Sequence, residues 1–169
     1  MRAILYSIAI WIRKILGLGP RHKFVNIYYR MPGDLWLLRP IVDVPHKAYL
    51  ELCEEEILLD HNVSNDVIIR NIQSMIEQCH YANDHDHNAN LKGWKKFVEE
   101  HLLIVGTVRH ASLCFEPWGR KNIGHKNASY MPSPHQDIFC APITDVDQAY
   151  QALCKARDAT RKYEEDNTA

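Results

Sequence analysis

The sequence predicts a mainly α-helical chain: a small helical bundle with an N-terminal amphipathic helix and a long irregular segment near residues 104–142, in which short strands are expected. Three observations carry this. Residues 3–16 read AILYSIAIWIRKIL, in which Ile4, Ile8, Ile12 and Ile15, with Leu5, Trp11 and Leu16, recur at spacings of three and four. Between Pro45 and Leu103 the apolar residues recur at similar spacings. Residues 104–142 lose that period and collect Gly106, Gly119, Gly124, Pro117, Pro132, Pro134 and Pro142.

The first element is the most informative. The first 33 residues hold six Lys or Arg and no acid; Asp34 is the first carboxylate. The uninterrupted apolar run, Ala3 to Ile12, is half of the roughly 20 residues a transmembrane helix needs. Arg13 and Lys14 stop it, and Gly17, Gly19 and Pro20 end the helix. Pro20 also makes a poor junction for signal cleavage. A helix lying in the plane of a membrane fits better. Ile4, Leu5, Ile8, Trp11, Ile12, Ile15 and Leu16 would enter the apolar boundary, while Arg13 and Lys14 reach the headgroups. A mitochondrial transit peptide has the same traits, and packing into a core is the other use of such a stripe.

Residues 21–42 read as a connector with strand-like pieces at Phe24–Tyr29 and a turn at Pro32–Gly33. Pro45 opens a helix from His46 to Leu59, with Tyr49, Leu50, Cys53, Ile57 and Leu58 on its apolar face. Ser64 caps a second, with Val67, Ile68, Ile72, Met75, Ile76 and Cys79 on one face. The two form an antiparallel hairpin over 46–80. A polar loop follows at 81–90, then a helix from Leu91 to Leu103 with Trp94, Phe97, Val98, Leu102 and Leu103 inward. A strand is expected within Ile104–Phe115, then a long loop. The last helix begins near Asp145 and frays into the polar tail. The division is therefore residues 1–20 as the membrane-seeking helix and 21–169 as a single helical domain.

Charge is polarised along the chain. Residues 1–33 carry +6, residues 34–90 carry −8, and the remainder +1, for a net charge of −1. The basic end suits anionic lipid, and the acidic hairpin 46–80 suits a basic protein partner. The isoleucine stripe points to lipid or protein rather than nucleic acid. Cys53, Cys79, Cys114, Cys140 and Cys154 are odd in number and widely spaced, so reduced thiols are expected.

Two groups carry metal-ligand chemistry. His85 and His87 alternate in the loop after Cys79–His80, flanked by Asp84 and Asp86. That string fails as a calcium loop, because Ala89 stands where glycine is required and Lys95 where a glutamate is. Cys114, His125, His135 and Cys140 lie in the irregular segment, and zinc is the ion they would take. A polar helix-joining loop accounts for the first group, and exposed histidines with small buried cysteines for the second, so no cofactor is expected, with zinc as the alternative.

Met31–Leu35 (Met-Pro-Gly-Asp-Leu) followed by His46 resembles the start of permuted papain-like cysteine hydrolases. That resemblance implies a His-bearing strand and a nucleophilic cysteine at a helix N-terminus. Here His46 follows Pro45 at the head of a Glu-rich helix, and Cys79 and Cys154 read as helix-internal. His110–Ser112 matches half of the signature of two-histidine phosphoesterases and lacks the second half.

The functional expectation is a non-catalytic accessory or scaffold subunit that docks on a membrane or membrane-protein complex, with the mitochondrial inner membrane favoured over a bacterial inner membrane. The alternative is a metal-binding or cysteine-dependent enzyme built on the loop His and Cys residues.

Overall fold

The structure is a computed structural model. It describes residues 8–9, 11–13, 15–19, 23–31, 33–43, 50–51, 55–60, 62–81, 94–123, 128–133 and 137–168. β1 (Phe24–Arg30) and β2 (Leu35–Asp43) form a hairpin, followed by β3 (Leu50–Glu51) and β4 (Ile57–Leu59). Then come α1 (Asn65–Glu77), β5 (His80–Tyr81), α2 (Trp94–Glu100), β6 (His101–Arg109) and β7 (Ser112–Lys121). β8 (Ser129–Pro132), β9 (Phe139–Pro142) and α3 (Val146–Thr168) complete the described elements.

The strands make one sheet in the order β3-β2-β1-β6-β7-β8, with β4 and β5 also on β2 and β9 also on β7. Every pairing is antiparallel except that of β2 with β5. The chain is thus not mainly α. The strands escaped a period-based reading because the central ones are covered on both faces. In β6, residues 101–106 are all buried, so no apolar-polar alternation is left to see. Leu102 and Ile104 join one apolar cluster while Leu103 and Val105 join the other.

The first face packs under α1 and α3, through Ile68, Ile69, Ile72 and Met75 of α1 and Ala149, Ala152, Leu153 and Ala156 of α3. Both helices start where the sequence predicts, but α1 ends at Glu77 before Cys79, and α3 continues to Thr168 instead of fraying in the polar tail. Ser64 accepts from Val67 N–H as the N-cap of α1. Asp145 caps α3, its Oδ1 accepting from Gln148 N–H at 2.9 Å. Small alanines let α3 lie close on the sheet. Gly119 of β7 completes that fit: a Cβ there would come within 2.4 Å of the Tyr163 ring.

Three helical expectations are corrected. The described residues of 46–59 do not make the expected helix: Leu50–Glu51 form β3 and Ile57–Leu59 form β4, both paired along β2. The hairpin 46–80 is therefore not a helical pair. The helix expected over 91–103 ends at Glu100, and Leu102 and Leu103 belong to β6. The segment 104–142, expected to be irregular, holds most of β6 and all of β7, β8 and β9 among its described residues. The described residues from Phe24 onward form an α+β arrangement rather than a helical one.

Cys114 and Cys140 are directly opposed on β7 and β9 and joined as a disulfide. This corrects the expectation of reduced thiols at that pair. A bridge spanning 26 residues stabilises by roughly 3 kcal/mol through the unfolded chain. It pins a four-residue edge strand to the sheet.

Candidate functional site

The N-terminal segment is helical at residues 8–9, 11–13 and 15. It ends as a Schellman motif. Leu18 N–H donates to Arg13 C=O at 2.8 Å, and Gly17, at φ 65, takes the left-handed position that a side chain would penalise. The Arg13 guanidinium folds back onto the Gly19 carbonyl at 2.9 Å. The sheet holds this end as well: Tyr81 of β5 donates its hydroxyl to the same carbonyl at 2.9 Å.

Beyond those anchors the helix presents its apolar side outward. Trp11, Ile15 and Leu16 are 64%, 63% and 64% exposed, and Ile8, Ile12 and Leu18 are 48%, 45% and 47% exposed. The core-packing alternative is therefore not realised at these positions. Ile4, Leu5 and Lys14, which belong to the same expected stripe, lie outside the described residues. Arg13 departs from its expected headgroup role in one respect: its guanidinium is engaged as a cap on its own chain.

The second face of the sheet carries the densest polar network. Glu51 of β3 accepts from the Asn26 amide and from the Tyr28 hydroxyl, the latter at 2.5 Å. Arg39 lies 3.6 Å from Glu51 and 3.1 Å from Glu56, and stacks its guanidinium over Phe97 at 4.3 Å. Burial, then Glu51, push the Tyr28 hydroxyl well above its ordinary pKa, so it stays a donor. His101 is stacked on Phe97, with Nδ1 2.8 Å from the Phe97 carbonyl. Its pKa is lowered by burial, although that carbonyl opposes the shift. These groups bond mainly to one another, with Asn26 Oδ1 left without a hydrogen-bond partner, and the arrangement reads as a polar core rather than a reaction centre. The acidic segment is thereby partly engaged within the chain, since Glu51 and Glu56 pair with the buried Arg39, and Asp66 pairs with Arg70 on the surface of α1.

The other candidate residues are described only in part. His85, His87, His125 and His135 lie outside the described residues, as does His46. The sulfurs of Cys114 and Cys140 are bonded to each other and in that state offer no thiolate. Among the described residues, no three His, Cys, Asp or Glu side chains gather into a metal-sized group. Cys79 is buried and donates to the Phe24 carbonyl at 3.3 Å. Burial raises the pKa of Cys154, the opposite of what a nucleophile needs. Tyr81 was missed by sequence reading, because it begins a polar loop and nothing local marks it as a partner of Gly19.

The chain matches no protein-family model and no curated protein sequence. Two solved structures share its fold. A protein of unknown function, NMB0488 from Neisseria meningitidis, is similar with a TM-score of 0.59 at 7% identity, over 82% of this chain and 96% of that one. A chain of the CdiA-CT/CdiI toxin and immunity complex from Yersinia pseudotuberculosis is similar with a TM-score of 0.56 at 8% identity, over 80% of this chain and 95% of that one. Identities this low establish a shared fold alone. The picture of an alpha-helical mitochondrial accessory subunit is corrected by the sheet, and its organelle and subunit terms draw no support from these likenesses. No described helix is long and apolar enough to cross a membrane.

Proposed function

We propose that this chain is a non-catalytic binding protein held at an anionic membrane surface by its N-terminal helix. One observation supports this above the others. Trp11, Ile15 and Leu16 stay nearly two-thirds exposed on a helix from an acid-free segment, while most apolar residues of the central strands are buried. Six exposed apolar side chains on one short segment form a patch of the kind that marks a membrane or partner contact. The +6 charge of residues 1–33 selects anionic lipid. Partial insertion of each large side chain contributes about 1–2 kcal/mol, enough together for reversible binding without a span.

Liposome co-sedimentation tests this reading. The full chain should pellet with vesicles of phosphatidylcholine and phosphatidylglycerol, and a chain starting at Arg21 should not. Equal, weak binding by both would reject it.

The likeness to a toxin and immunity complex favours a more specific second reading, in which the sheet domain binds and neutralises a protein toxin. Native purification of the full chain should then return one stoichiometric partner, whose production without the chain arrests growth. A co-purifying protein that is harmless by itself would remove this reading.

A further inference from the structure

We propose that the β6–β7 hairpin tip, Val108 to Ala111, is a second lipid contact that meets the anionic membrane together with the N-terminal helix. The inference rests on the reading of that helix as a membrane-docking element.

Register places the two at the same end of the sheet. Phe24, the first residue of β1, pairs with Thr107, so residues 108–111 project beyond the start of β1. The Thr107 hydroxyl donates to the Lys23 carbonyl at 3.1 Å, joining the hairpin to the entering N-terminal segment. Tyr81, which holds Gly19, is on β5, and β5 pairs with β2 at Val42 and Asp43. That is the end of β2 beyond its last partner on β1, Pro40 opposite Val25. The helix C-terminus and the hairpin tip therefore flank one end of the sheet.

The chemistry of the tip matches the helix. Val108 is a β-branched apolar residue left 38% exposed. The Arg109 side chain is half exposed, with a 3.8 Å ion pair to Glu116. His110 and Ala111 are exposed, and no Asp or Glu occurs between Glu100 and Glu116. The turn is made at a conformational cost. His110 (φ 47) and Ala111 (φ 61) both adopt the left-handed region that such a two-residue turn normally assigns to Asn and Gly. An exposed apolar residue beside a cation, on a strained tip, is a combination that folding alone does not reward. At the opposite end of the sheet Met31 is 40% exposed in a turn that also holds Asp34.

The test uses the full chain and vesicles of phosphatidylcholine and phosphatidylglycerol, with thermal melts confirming that each variant folds. Val108→Asp should weaken vesicle binding about tenfold, from lost insertion and added repulsion. Arg109→Gln should weaken it several-fold on these vesicles and not on pure phosphatidylcholine. Met31→Asp, at the far end, should bind as the unmodified chain does. The double variant Ile12→Glu with Ile15→Glu reports on the helix alone. If that variant loses binding while Val108→Asp and Arg109→Gln do not, the hairpin proposal is overturned and the helix reading stands. If Met31→Asp weakens binding as much as Val108→Asp, the effect is overall charge and the proposal also fails. If the unmodified chain does not bind, both go.

Discussion

The hydroxyl of Tyr81 closes onto the carbonyl of Gly19 at 2.9 Å, with the Leu18 carbonyl at 3.3 Å. This side-chain contact joins β5 to the end of the apolar N-terminal segment across 62 positions of sequence. It fixes where the segment leaves the sheet without covering its apolar side. Tyr81→Phe removes only that donor. Global stability should fall by about 1 kcal/mol or less. Hydrogen exchange should speed up at the Leu16 and Leu18 amides, which bond to Ile12 and Arg13. Unchanged protection at those amides would show that Tyr81 does not hold the segment.

Arg120 and Glu164 form a two-bonded ion pair with side chains 10% and 9% exposed. Arg120 also donates to the Glu99 carbonyl at 2.6 Å, so it ties α2, β7 and α3 together. Burial raises the Glu164 pKa, outweighing the opposing pull of Arg120. Glu164→Leu leaves the guanidinium buried without its carboxylate and should cost about 3 kcal/mol. Arg120→Met combined with Glu164→Leu should recover most of that loss. Additive losses in urea titrations would argue against coupling.

Gly119 is set by space rather than by conformation. Gly119→Ala drives a methyl against the Tyr163 ring of α3 and should cost about 1–3 kcal/mol by displacing that helix. Adding Tyr163→Leu should restore part of the loss. A melting temperature unchanged in Gly119→Ala would mean that α3 does not sit on β7 as described.

His101 gives a pH dependence with a definite sign. Its pKa lies below the ordinary value of 6.5, chiefly through burial. The unfolded chain therefore binds a proton more readily than the fold does. Stability from this group is intact above the unfolded value and is lost as pH falls through the lower, folded value. His101→Gln should flatten that part of the stability curve between pH 7 and the acid limb. An identical slope in the variant would assign the acid loss to other groups.

Much of the helical framework was legible from local signals. Ser64 with its apolar face announced α1, Asp145 announced α3, and Pro32–Gly33 announced the β1–β2 turn. The sheet was harder to read for reasons that are physical. Glu51 and Glu56 look like a solvated helix face in sequence, yet both are held by Arg39, a partner on another strand. The β6–β7 hairpin lacked its usual marker, since His110 and Ala111 occupy positions where Asn and Gly would have declared a turn. Pro117 and Gly119 then made β7 look like a loop, although both are buried within it. The apolar N-terminal helix is the legible part of the proposed site. Tyr81 and the hairpin tip are not, because their relation to that helix exists only across the sheet.

Trp11 is the most direct probe of the central claim, being the largest exposed apolar side chain on the N-terminal helix. Its signal is the difference between the tryptophan fluorescence of the full chain and that of Trp11→Phe, recorded with and without anionic vesicles containing brominated lipid. On vesicles the account predicts a blue-shifted Trp11 spectrum quenched by bromine near the headgroup boundary. A Trp11 spectrum that neither shifts nor quenches, at lipid concentrations where bound protein is expected, would contradict it.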